Sequence, residues 1–133
     1  MGMYTELLLN AKLVSDVPTD VLAVFEHLFN GGAQPAALPD HPFFRADRWN
    51  LIGRCSSHYF QPHSTSNMRF NDTAQQWFIL SRSDLKNYED EIDLFMQWAM
   101  PYLDESEGQF VAYSRYEEDN EPKLYFKPQQ AVQ

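Results

Sequence analysis

The sequence predicts an α+β domain of two layers: an antiparallel sheet of about five or six strands with two helices packed on one face. Three observations carry that reading. Residues 4–14 alternate with period two, Thr5, Leu7, Leu9, Ala11 and Leu13 on one side and polar residues mostly on the other, which marks a half-buried strand. Two later stretches repeat apolar residues at helical spacing instead. The coarse order is strand, helix, three strands, helix, two strands, the pattern of helices laid against an antiparallel sheet.

Taken in order, Pro18 suits the first turn of a helix and Asp20 adds the charge that a helix N-terminus favours. Val21, Leu22, Val24, Phe25, Leu28 and Phe29 form its stripe, and Asn30, Gly31 and Gly32 stop it. Residues 33–48 read as a long connection pinned by Phe43 and Phe44. Residues 49–60 read as a strand with Leu51, Gly53, Cys55, Ser57 and Tyr59 on one face and Arg54, Ser56 and His58 on the other. Asn67–Phe70 and Gln76–Arg82 follow as two further strands joined by an Asn-Asp turn. Asn87 then caps a helix whose first turn is acidic and whose stripe is Tyr88, Ile92, Phe95 and Ala99, ended near Pro101. Gln109–Tyr116 and Lys123–Lys127 close the chain as a hairpin. The core expected from these patterns contains Leu7, Leu9, Phe25, Leu28, Ile79, Ile92, Phe95 and Val111.

The 133 residues suit a single globular domain, residues 1–133, large enough to bury a core without a metal or disulfide staple. A lone cysteine, Cys55, excludes an internal disulfide. With no basic leader pattern and no apolar run long enough for a membrane span, the expectation is a cytoplasmic protein without membrane association. The net charge of −9 is unevenly placed: residues 1–83 carry −1, whereas residues 84–121 carry −10. Such an acidic segment repels a phosphate backbone, so nucleic-acid binding is disfavoured.

No phosphate-binding glycine loop, nucleophile elbow or EF-hand spacing occurs. Cys55, His58 and His63 have a spacing that invites zinc, but on a regular strand Cys55 and His58 point to opposite faces and no fourth ligand is near. No metal, cofactor or catalytic residue is therefore expected. The polar residues that stand out are arginines on strands: Arg54 and His58, then Arg82, then Arg115. Charges there need carboxylate partners such as Glu6 and Asp84, or else an anionic ligand. A second candidate surface is acidic: Glu89, Asp93, Glu117, Glu118 and Asp119.

Several segments carry a likeness over most of the chain: Leu38-Pro-Asp-His-Pro-Phe-Phe44, Arg48-Trp49, Ser56-Ser-His-Tyr-Phe60, Arg82-Ser-Asp-Leu-Lys-Asn-Tyr-Glu-Asp-Glu-Ile92 and Tyr113-Ser-Arg-Tyr-Glu-Glu118. In these it resembles a family of uncharacterised small proteins of bacteriophages and prophages. The resemblance implies an accessory protein acting in a host bacterial cell and brings no catalytic residues with it. The function expected is non-enzymatic binding of a host or phage protein through an acidic surface. The alternative is a small anionic-ligand or hydrolytic domain using Arg54, His58 and Arg82.

Overall fold

The computed structural model describes residues 3–57 and 64–128. Strands β1 (Thr5–Lys12), β2 (Thr65–Asn71), β3 (Gln76–Leu85), β4 (Phe110–Tyr116) and β5 (Lys123–Phe126) form one antiparallel sheet, in the order β2-β3-β1-β4-β5. Helix α1 (Thr19–Phe29) follows β1, and helix α2 (Glu91–Ala99) follows β3. The first four strands and two helices have the connectivity of the ferredoxin-like double split β-α-β layout, with β5 added by a hairpin at one edge.

The alternation in β1 explains the layering. Leu7, Leu9 and Ala11 are buried toward the helices, with Leu13 just beyond the strand, whereas Asn10 between them is exposed. The helix stripes meet this face. Phe25 and Phe29 of α1 pack on Phe95 of α2 at ring separations of 6.4 and 5.9 Å, and Phe25 stacks on Trp98 at 5.0 Å. All eight residues expected in the core are buried. The second helix begins at Glu91, later than its stripe suggests, yet Asn87 still serves it: its Oδ1 accepts from the Ile92 N–H at 3.0 Å. Pro101 ends it through a 3₁₀ turn, Met100–Tyr102.

Over its described part, residues 49–57, the strand expected for residues 49–60 does not form; residues 58–60 lie outside the described residues. Trp49–Leu51 is a 3₁₀ turn instead, with Trp49 and Ile52 both buried. A spacing of three suits a 3₁₀ turn, whereas a strand would send the two to opposite faces. Gly53 then adopts φ +82°, and a side chain there would lie 2.7 Å from the Phe29 ring. Glycine alone fits that approach, which lets the segment pack beneath the C-terminal end of α1. Phe43, fully buried against Phe95 and Trp98, pins the long connection as its sequence suggests.

Candidate functional site

The face of the sheet turned away from the helices holds the polar residues singled out from the sequence. Cross-strand register places Asp84, Glu6 and Arg115 in one row, and Arg82, Leu8, Tyr113 and Leu124 in the next. Arg82 bridges the first row. Its Nε lies 2.5 Å from Glu6 Oε2, and its terminal nitrogen donates to Asp84 Oδ1 at 2.9 Å. Glu6 Oε1 accepts from the Tyr113 hydroxyl at 3.2 Å and lies 3.7 Å from Arg115 Nε. Ser57 N–H donates to Asp84 Oδ2 at 3.1 Å, which brings the segment after Gly53 round the sheet edge and onto this cluster.

Glu6, Arg82 and Asp84 are all buried, although they stand on the face without helices. Burial raises the Asp84 carboxyl above its ordinary value despite the Arg82 charge and the Ser57 bond that oppose the shift. Burial, together with the Glu6 carboxylate, raises the Tyr113 phenol likewise. This is a compensated network: two carboxylates face two guanidinium groups.

Arg54 does not join it. Its guanidinium turns toward the helix layer, donates to the His27 carbonyl of α1 and lies 3.0 Å from His27 Nδ1. A cation bonded to a late helical carbonyl is a C-terminal cap, a structural use of the charge. His58 and His63 lie outside the described residues. Cys55 sits in irregular chain, so strand alternation does not set the direction of its side chain. Among the described residues, no group of three His, Cys, Asp or Glu is placed to hold a metal ion. Burial, followed by the Asp84 carboxylate, pushes the Cys55 thiol up, the reverse of an activated nucleophile.

The acidic segments divide between the two ends of the sheet. Glu117, Glu118 and Asp119 form the β4–β5 turn, where they and Tyr88 surround Tyr116; desolvation first, and then these neighbours, raise its phenol. Glu89 lies at this end too, accepting from the Asp47 N–H at 3.2 Å. Asp104 and Glu105 sit at the opposite end, where Glu105 accepts from the Lys12 N–H and Asp104 from Gln76. Asp93 is occupied by β5: it accepts from the Tyr125 hydroxyl at 2.6 Å and from Lys123 Nζ at 3.0 Å. Of the acidic residues singled out from the sequence, Glu118 and Asp119 are the exposed pair in the turn.

Sequence reasoning missed the apolar part of the same sheet face. Phe78, Leu80, Phe110, Leu124 and Phe126 are each between 38% and 52% exposed, with Leu8 half-buried among them. Their faces follow from pairing: Leu124 stands opposite Tyr113, and Phe110 opposite Phe126 with ring centroids 6.1 Å apart. Lys12 and Arg69 flank Phe78 in the row farthest from the ion cluster. The signal was present in Phe78 and Leu80, which occupy the alternate positions of a strand whose other positions already fill the core. A groove of about 690 Å³ lies between α2 and β5, lined chiefly by Met96, Met100, Pro101, Tyr125 and Phe126.

These features define a small α+β domain with a compensated ion cluster at one end of its open sheet face and, over the remainder, exposed apolar side chains interspersed with Asn10, Asn67, Lys12 and Arg69. Comparison of the chain with protein-family models, with curated proteins and with solved structures finds no match in any of the three.

Proposed function

We propose that this chain is a non-enzymatic protein-binding module of the phage or prophage accessory type, docking on a host or phage protein in the bacterial cytoplasm through the open face of its sheet. The observation that carries the reading is the group of five large apolar side chains exposed together on that face. Monomeric proteins keep exposed apolar area small, and large patches mark interaction sites; here Asn10 of the central strand stands between Phe78 with Leu80 and the group Phe110, Leu124 and Phe126. Lys12 and Arg69 flank the apolar residues at the Phe78 end, and the ion cluster borders the other. The exposed acids of the β4–β5 turn contribute steering of a partner's basic groups, not contact area.

The alternative, an anionic-ligand or hydrolytic site, requires Arg54, His58 and Arg82 to act together. Arg82 is held between Glu6 and Asp84, and Arg54 is committed to α1, so the described geometry gives that reading little support.

The test uses a partner captured from bacterial lysate and then purified. Phe78→Ser with Leu80→Ser removes apolar area from exposed positions and leaves the core intact. Affinity for the partner should fall at least tenfold, with an unchanged melting temperature. Unchanged affinity removes the sheet face from the interaction. A fluorescent single-stranded oligonucleotide, tested in parallel, should not bind; salt-sensitive binding that is lost in the same variant would replace the protein-binding reading with a nucleic-acid one.

A further inference from the structure

We propose that the free edge of β5, together with the α2 groove beside it, receives an extended, apolar segment of another protein as a sixth strand, with a carboxylate of that segment beside Lys127. The inference rests on the protein-binding reading and adds the mode of engagement.

Backbone direction opens the site. Lys127 N–H donates to the Gln109 carbonyl at 2.9 Å, and the Lys127 carbonyl accepts from Gly108 N–H at 2.9 Å, so the peptide groups of Lys127 face β4. Successive residues of a strand point their peptide groups to opposite sides, so those of Leu124 and Phe126 face away from the sheet. Among the described residues, β5 pairs with β4 alone. Pro122 and Pro128 bracket this edge and confine any added strand to the short window between them.

Side-chain chemistry selects the occupant. An incoming strand alternates its side chains between the two sides of the sheet. On one side they meet exposed Leu124, Phe126 and Phe110. On the other they enter the groove over Met96, Met100 and Pro101, where flexible thioethers adapt to varied apolar shapes. Lys127 supplies the polar selection. Among the described residues its ammonium donates to the carbonyls of Met100 and Leu103, and no carboxylate lies within ion-pair distance. Lys123, by contrast, already holds Asp93. An acidic residue of the segment is therefore placed at the Lys127 ammonium itself, since Asp104 and Glu105 make the rest of this end acidic, as Glu118 and Asp119 do the other end. A second copy of this chain fits less well. Antiparallel self-pairing that sets Leu124 opposite Phe126 would also bring Lys123 opposite Lys127, two cations across the seam.

A displayed library of random heptapeptides, selected on the intact protein, tests this directly. Selected peptides should alternate apolar residues and share one acidic position. A synthetic representative should protect the Leu124 and Phe126 amides from hydrogen exchange, and converting its carboxylate to the amide should weaken binding at least fivefold. Leu124→Pro, which removes an outward N–H without touching the β4 pairing, should weaken the peptide at least tenfold. Phe78→Ser with Leu80→Ser should leave it unchanged while reducing affinity for the captured partner. Failure to select any such peptide, unprotected edge amides, or indifference to loss of the carboxylate overturns the inference. If the captured partner responds to the Phe78 and Leu80 changes while the edge amides stay unprotected, the sheet-face reading stands and the strand-addition mode falls.

Discussion

Arg82 Nε meets Glu6 Oε2 at 2.5 Å, joining side chains 76 residues apart in the chain on neighbouring strands. The same guanidinium holds Asp84, so one cation serves two buried carboxylates. Arg82→Ala would leave both buried carboxylates without their shared partner. The expected loss of unfolding free energy is about 3–5 kcal/mol, read from urea denaturation. A loss under about 1 kcal/mol would show that water reaches the cluster.

Phe95 is fully buried where the aromatic residues of α1, α2 and the long connection meet. Phe95→Ala removes a ring that touches Phe25, Phe29 and Phe43, and the surrounding helices cannot collapse fully into the space. Destabilisation of about 3–5 kcal/mol should follow. A cost below about 1 kcal/mol would mean that the layer rearranges freely.

Asp93 supplies a pH dependence with a definite sign. Burial disfavours its charge, but the hydrogen bonds from Tyr125 and Lys123, with the Lys123 charge, outweigh burial and set its carboxyl below the ordinary value. A depressed carboxyl stabilises the fold at pH values above its unfolded pKa, and that contribution fades as pH falls through the folded value. The stability gap between the unmodified protein and Asp93→Asn should therefore be open at neutral pH and narrow in acid. A gap that is constant with pH would separate the Tyr125 and Lys123 bonds from the ionisation of Asp93.

The exposed acidic turn is expected to act on encounter rate. Lysine at Glu117, Glu118 and Asp119 should slow association with the captured partner, and added salt should slow the unmodified protein as well. Because Asp104 and Glu105 lie at the other end of the sheet, lysine at those two positions should have the smaller effect. Equal responses at the two ends would argue for a general field of the whole chain.

Most of the architecture was legible because its elements have one buried side. Alternation in β1 and the stripes of α1 and α2 identified the residues that fill the core. Residues 49–60 misled because Leu51, Gly53 and Cys55 alternate as a strand does; Trp49 and Ile52, three apart, were the decisive pair, and Gly53 supplied a conformation that a strand never uses. The ion cluster was half legible. Sequence could pair Arg82 and Arg115 with Glu6 and Asp84 as charges needing partners, but it could not separate Arg54, whose partner is a helix carbonyl. The exposed apolar group was implied by the expected burial of Ile79, which turns Phe78 and Leu80 to the other face, but no reading of the sequence drew on those two residues.

The placement of β1 also has a kinetic side. It is the first strand in the chain and the middle one in the sheet, and both of its partners, β3 and β4, lie beyond Thr65. During synthesis β1 lacks both of its strand partners until Gln76–Leu85 has emerged, so the sheet closes late and through distant pairings. Such a chain folds slowly for its size, since the entropy of closing long loops must be met before the contacts that offset it form. A cut on the N-terminal side of β2 would leave an N-terminal fragment with its central strand unpaired on both sides, a template for association with other chains.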